Sequence, residues 1–366
     1  MRLLVLTSHN NDSINSIRPE AEIFVGLQKL GVDVTVMTQP DGVYNNIMEA
    51  AGIKVLKQTP VRKFDRHEVR RIRQFVIDNK IDVVYAFNNF SVITAVRALR
   101  GLNDVALITY RGQTGNLSRI NPYHYVTHLS PRVDMIFGVS DAVRDSLRDV
   151  LYDPSKAETV YKGHDLSWYT DTPADLTDFG IPADAFVVGC VANNRPRKGV
   201  PVLVEAMGLL PADANVHLVL VGADMDEPEL QKQINESPLS DRIHVLGYRK
   251  DSPSIISACD VSVLPALKRE GLPKTVIEAM VYSVTPIVTT SGGSPELVED
   301  GVCGFVVPVN DAPAIAEKML WLSEHREECK VMGEKARLRI DEHFNVRDSA
   351  KRTKELMEAL LERKRS

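Results

Sequence analysis

The sequence predicts an α/β protein of two doubly wound domains, each a parallel sheet with helices on both faces. Three observations carry this. Short apolar runs of strand length alternate with longer amphipathic runs along the whole chain. The alternation comes in two series, separated at residues 171–184 by a stretch rich in Pro, Asp and Gly. A chain of 366 residues is also too long for one ordinary core and suits two domains of roughly 150–200 residues.

In the first series Leu3–Thr7, Val32–Met37, Val83–Phe87, Val105–Thr109 and Met135–Val139 read as buried strands. Pro19–Leu30, Asp65–Asn79 and Ser91–Leu99 read as the helices between them. In the second, the strands are Phe186–Ala192, Val216–Val221, Ile243–Leu246, Val261–Leu264, Pro286–Thr289 and Phe305–Val307. Residues 346–366 form a charged amphipathic run with no strand after it, which reads as a closing helix. The expected division is 1–170, 171–345 and a helix over 346–366 that crosses back to the first domain. Ligands of such sheets sit beyond the C-terminal ends of the strands.

Composition narrows the class. Hydrophobic residues make up 44% and charged residues 25%, the balance of a soluble globular protein. No apolar run reaches the ~18 residues a membrane span needs, and the opening Met1–Ser8 reads as a first strand, not a signal peptide. The four cysteines are far apart and without ligand spacing, which argues against structural zinc and for a reducing, cytoplasmic setting. The net charge is −5, yet basic residues prevail in the first half and acidic ones in the second. Nucleic acid is not an expected partner, since no aromatic-plus-basic motif accompanies that charge.

The richest segment is Leu264-Pro265-Ala266-Leu267-Lys268-Arg269-Glu270-Gly271-Leu272-Pro273-Lys274-Thr275-Val276-Ile277-Glu278. A strand ends at Leu264, a loop carries Glu270, and Pro273 sits in what reads as the first turn of a helix. The backbone N–H groups near Lys274 and Thr275 then offer a diphosphate site. Glu278, deeper in the helix, is placed to accept hydrogen bonds from both hydroxyls of a ribose. A second segment, Asn193-Asn194-Arg195-Pro196-Arg197-Lys198-Gly199, follows another strand and puts cations at the same sheet edge. In bland terms these are solvated helix flanks and a basic turn, but their joint occurrence favours a site.

This pattern resembles the E-x7-E motif of retaining glycosyltransferases with the GT-B fold, especially glycosyltransferase family 4. Leu246-Gly247-Tyr248, Ala258-Cys259-Asp260-Val261, Gly292-Gly293-Ser294-Pro295-Glu296 and Gly301-Val302-Cys303-Gly304 fall in that family's order. In the first half, Val139-Ser140 and Lys162-Gly163-His164-Asp165 resemble it more distantly. The resemblance implies two Rossmann-like domains facing across a cleft, with a nucleoside-diphosphate sugar as donor substrate and neither cofactor nor metal. It assigns Glu270, Lys198, Arg195 and Arg111 to catalysis, with Arg195 substituting for the family's usual Arg. Glu278, Gly271, Leu272, Pro273, Lys274, Thr275 and Tyr248 go to the donor, and Ser8, His9, Asn10 and Asn11 to the acceptor side.

Two departures bear on the first domain. Its loop after strand one, Ser8–Ser16, contains no glycine. Where the family places a His, Thr109-Tyr110-Arg111-Gly112 offers Arg111, which either stabilises charge on the donor or binds an anionic acceptor. His124 and His128, four apart on an expected helix, read as a packed or surface pair and not as metal ligands. Asp224 and Asp226 have D-x-D spacing and read as helix-capping acids.

A basic run in the first half includes Lys63, Arg66, Arg70 and Arg73. The three arginines recur at helix spacing, which is either a solvated face or a patch docking on anionic lipid, at ~1 kcal/mol per basic residue. The second reading makes the protein peripheral on the cytoplasmic face of a membrane. The function expected is transfer of a sugar to a glycan, lipid-linked or lipopolysaccharide-type acceptor. The alternatives are a sugar-nucleotide epimerase or phosphorylase of the same fold, and a non-enzymatic sugar-nucleotide binder. A nicotinamide enzyme is disfavoured because no G-x-G-x-x-G opens either domain.

Overall fold

Every apolar run read as a strand in the sequence forms one. The computed structural model describes residues 1–8 and 14–365, so His9, Asn10 and Asn11 lie outside the described residues. The chain divides into two units, 1–164 with 344–366 and 165–343.

The first unit holds β1 (Arg2–Leu6), β2 (Asp33–Met37), β3 (Lys54–Leu56), β4 (Val83–Ala86), β5 (Ala106–Arg111), β6 (Met135–Gly138) and β7 (Ala157–Thr159). They form a parallel sheet in the order β3-β2-β1-β4-β5-β6-β7. The central strands are apolar on both faces because helices cover both. Leu3, Leu4, Val5 and Leu6 are fully buried, at about 1.5–3 kcal/mol for each such side chain. The edge strands β3 and β7 escape a reading by hydrophobic runs, being three residues long and interrupted by Lys54 and Glu158.

The second unit holds β8 (Phe186–Val191), β9 (Val216–Val221), β10 (Ile243–Gly247), β11 (Val261–Leu264), β12 (Thr285–Thr289) and β13 (Phe305–Val307). These also run parallel, in the order β10-β9-β8-β11-β12-β13. Each sheet reverses its winding once, between β1 and β4 in the first unit and between β8 and β11 in the second. A crevice opens at such a reversal because the connections on either side leave in opposite directions.

The chain passes between units at residues 164/165 and 343/344, a few residues from the composition break. The Pro- and Asp-rich stretch is packed onto the second unit: Ala174 N–H donates to Ser254 O (2.9 Å), the Tyr282 hydroxyl donates to Asp171 (2.6 Å), and Ile181 is buried in that unit's core. The closing helix Val346–Arg365 lies in the first unit against the helix Ile14–Lys29. Gly26 permits that contact, since a Cβ there would meet Ala350 Cβ at 2.6 Å. No helix among the described residues is long and apolar enough to cross a membrane.

Candidate active site

The loops that leave β8 and β11 meet at the reversal point of the second sheet. After β8, residues Pro196–Lys198 make one 3-10 turn, ended by Gly199 at φ +71°. A Cβ at Gly199 would sit 2.0 Å from Pro265 O, so the position needs glycine for both conformation and space. Leu267 N–H donates to Arg197 O at 2.8 Å and locks the two loops together. The turn directs both Arg197 and Lys198 at Glu270.

Glu270 is buried, and one of its oxygens takes both cations. Lys198 Nζ lies 2.9 Å and Arg197 Nη1 3.2 Å from Oε1. Gly292, at φ +56°, supports the same residue from the loop after β12, where a Cβ would fall 2.0 Å from Glu270 O. Glu270 and Lys198 are therefore brought together, whereas Arg195 is exposed and makes no side-chain cap bond. Arg197, and not Arg195, is the arginine that pairs with Glu270 among the described residues. The left-handed turn at Gly199 sets the direction of the two side chains before it, and that conformation is visible only in the fold.

Gly271 and Pro273 are buried and Leu272 half-buried, leading into the helix Lys274–Val281. Pro273 is the N-cap of that helix, one position earlier than a first-turn residue. Its carbonyl accepts from the N–H groups of both Val276 and Ile277, at 3.2 Å each. The amides of Lys274 and Thr275 have no backbone acceptor among the described residues, as at any helix start. Glu278 is buried, and Lys274 Nζ lies 3.1 Å from its Oε1. Burial raises the Glu278 carboxyl above its ordinary range, and Lys274 acts against that rise. Tyr248, just past β10, is exposed, as is usual for a ring that has a free face to offer.

Two readings from spacing fail here and in the first unit. Neither Asp224 nor Asp226 is the N-cap of the following helix: the helix Pro228–Glu236 begins after Glu227, and Asp224 is in a left-handed turn at φ +62° whose carbonyl accepts from Asn194 Nδ2. His124 and His128 do not share a helical face. A 3-10 turn, Pro122–Val126, ends between them. His124 Nδ1 bonds to the backbone of Ser118, whereas His128 is buried with Nδ1 3.0 Å from Thr109 Oγ1. Burial pushes the His128 ring down to about 3, and Arg111 pushes the same way.

Arg111 closes β5, and its Nη2 donates to Gly115 O at 2.7 Å. Its Nε is buried with no acceptor among the described residues, and burial lowers its pKa. Ser8 is half-buried at the end of β1. One feature of this edge was not foreseen. Lys162 Nζ donates to Glu20 (2.7 Å), whose other oxygen accepts from the Thr7 hydroxyl (2.8 Å). Burial alone would lower Lys162; Glu20 and Tyr110 outweigh it and raise it. Gly163 has its own reason, because a Cβ there would meet Asn345 O at 2.2 Å where the chain returns.

Of the basic run, Arg66 and Arg70 are exposed on the helix Arg66–Asp78. Arg73 instead donates to the carbonyls of Ala98 and Arg100, both at 2.8 Å, and Lys63 lies over the Tyr123 ring at 4.8 Å.

Comparison with known proteins agrees with this organisation. The family model described as Glycosyltransferase Family 4 matches residues 21–168, and that described as Glycosyl transferases group 1 matches 171–339. N-acetyl-alpha-D-glucosaminyl L-malate synthase of Bacillus anthracis is 24% identical over 213 residues, covering 58% of this chain and 56% of that protein. Phosphatidyl-myo-inositol mannosyltransferase of Mycolicibacterium smegmatis is 26% identical over 262 residues, covering 70% and 65%. The chain thus spans little more than half the length of the first curated relatives it matches. HepE of Anabaena, solved in complex with UDP, superposes with a TM-score of 0.79 at 21% identity, over 98% of this chain and 100% of that one.

Both halves of the chain, each by its own sheet, match the halves of one class, the glycosyltransferases built on the GT-B fold. Within that class the chain belongs to glycosyltransferase family 4.

Proposed function

We propose that this protein is a retaining glycosyltransferase that moves a sugar from a nucleoside-diphosphate sugar to a glycan or lipid-linked acceptor. The observation that carries the reading is the pair of cations, Arg197 and Lys198, held on Glu270 beside a helix start at the reversal of the second sheet. Support comes from relatives named as an N-acetyl-alpha-D-glucosaminyl L-malate synthase and a phosphatidyl-myo-inositol mannosyltransferase, and from HepE, solved with UDP.

In this reading the bond from the anomeric carbon to the diphosphate oxygen breaks, and the oxygen leaves with the electron pair. Lys198, Arg197 and the amides of Lys274 and Thr275 stabilise the charge that develops there. These fixed positive groups do the work a metal ion does elsewhere. The acceptor hydroxyl bonds to the carbon on the face the diphosphate leaves and passes its proton to the departing oxygen, which retains configuration. Glu270 orients the sugar hydroxyls, and Glu278, as a carboxylate, accepts from the ribose. Arg111 serves the first unit's edge, where its orphaned Nε suits an anionic acceptor. The exposed Arg66 and Arg70 bring the protein to the cytoplasmic face of an anionic membrane.

Thermal unfolding with a panel of UDP-, GDP- and ADP-sugars tests the donor assignment. A donor at 100 times its dissociation constant stabilises by about 2.7 kcal/mol. A panel with no stabilising member contradicts the reading.

A further inference from the structure

The first unit contains a cavity of about 300 Å³ at the sheet edge opposite the one where chemistry is placed. Its walls are Leu129, Val133, Ile136 and Leu151. Val133 lies two residues before β6 and Leu151 six before β7, so the cavity lies at the N-terminal ends of these strands. The volume is at the lower end of the roughly 300–1,000 Å³ in which small ligands bind. Of its buried polar lining, His128 already bonds Thr109, and the Ser130 hydroxyl accepts from Arg132 N–H at 3.3 Å. The interior therefore asks for a hydrocarbon and not for a polar ligand.

The mouth is amphipathic. The Tyr125 hydroxyl donates to Arg119 O (3.0 Å) and so accepts from the Tyr152 hydroxyl (3.0 Å). The Arg119 guanidinium stacks on the Tyr152 ring at 5.1 Å while its Nε and Nη2 donate to the carbonyls of Val150 (2.9 Å) and Leu151 (3.0 Å), and Lys156 of the lining donates to Val133 O at 2.7 Å, so each cation keeps its charge and further N–H groups for an anion. Asp153, the one acid of the lining, is engaged by the Ser155 hydroxyl at 2.6 Å. Beside Arg119, Ile120 is 93% exposed, and Tyr152 is 75% exposed. Large apolar side chains this open, with cations next to them, match a bilayer surface better than water.

We propose that this cavity holds one hydrocarbon chain of an anionic membrane lipid, with the headgroup at Arg119 and Lys156 and with Ile120 entering the bilayer. The occupant is a lipid of the membrane and not the acceptor, because the reacting end of an acceptor belongs at the C-terminal strand ends. The inference rests on the membrane-docked reading above, and the two fail separately.

Dodecyl phosphate, titrated calorimetrically below its micellar concentration against the full chain, is expected to bind once per chain and not to be displaced by inorganic phosphate. Leu151→Trp and the milder Val133→Phe fill the cavity and are expected to weaken binding at least tenfold. Arg66→Glu with Arg70→Glu is expected to leave dodecyl phosphate binding unchanged while abolishing sedimentation with phosphatidylglycerol vesicles. A diazirine-bearing dodecyl phosphate, photolysed with the unaltered protein, is expected to label residues between 125 and 156, which keeps the test open should both filling variants misfold. No saturable binding, equal binding by both folded variants, or labelling elsewhere overturns the cavity proposal. Absence of vesicle binding by the unaltered protein, with dodecyl phosphate still bound, overturns the membrane-docked reading and the entry of Ile120 into the bilayer, and leaves the hydrocarbon site itself standing.

Discussion

Lys198 Nζ lies 2.9 Å from Oε1 of the buried Glu270, and Arg197 shares that oxygen. Removing one partner of a fully buried pair costs about 3–5 kcal/mol, because the other charge is left uncompensated. Both cations here are partly exposed, so Glu270→Gln is expected to lower unfolding free energy by about 1–3 kcal/mol in urea. Inorganic diphosphate, by occupying the released cations, should restore part of that loss and bind the variant more tightly than the unaltered protein. An unchanged urea midpoint would show that the pairing contributes nothing.

Gly292 holds Glu270 through backbone contact, since a Cβ would approach Glu270 O to 2.0 Å at a φ of +56°. Gly292→Ala therefore adds both overlap and strain. A loss above about 1 kcal/mol is expected, with turnover falling further than stability because the loop carrying Glu270 must shift. Equal denaturation midpoints and equal turnover would refute this.

The buried His128 ring, pushed down to about 3, stays neutral in the folded protein while the unfolded ring takes a proton below its ordinary 6.5. Its contribution to stability is full above pH 6.5 and declines as pH falls from 6.5 toward 3, by about 1.4 kcal/mol per pH unit. Between pH 7 and pH 5 the protein should lose about 2 kcal/mol more than His128→Gln does. Parallel pH profiles in urea titrations would remove His128 from the account.

Glu20 accepts from Lys162 at 2.7 Å and from Thr7 at 2.8 Å, which ties the helix Ile14–Lys29 to the segment after β7. Lys162→Met removes the cation that faces Glu20 and should cost about 3 kcal/mol, whereas adding Glu20→Gln should recover part of it. A double-mutant cycle with no coupling would mean that the pair is incidental.

The sheets were legible because central strands buried on both faces read as continuous apolar runs, as in Val216–Val221 and Val261–Leu264. The three-residue β3 and β7, with a charge in each, carry no such signal. Glu270, Lys198, Gly271 and Pro273 stood out because one short stretch fixes their relation. The choice of Arg197 over Arg195 was not legible, as it depends on the left-handed turn at Gly199 and its contact with Pro265. Likewise Arg73 has helix spacing with Arg66 and Arg70, yet it caps the carbonyls of a neighbouring segment. Periodicity gives the face of a helix, not what lies against it. His128 could not be placed by spacing either, because the 3-10 turn at Pro122–Val126 breaks the period its position assumed.

In the proposed transfer Lys198 exchanges Glu270 for the departing diphosphate, which makes its charge felt mainly in the transition state. The direct measurement is steady-state transfer by Lys198→Met beside the unaltered protein, using the donor identified by thermal stabilisation and a lipid-linked acceptor. A fall in kcat of about 100-fold or more is expected, with the donor KM changed only a few-fold. A variant whose kcat stays near that of the unaltered protein, with the loss confined to KM, would contradict it.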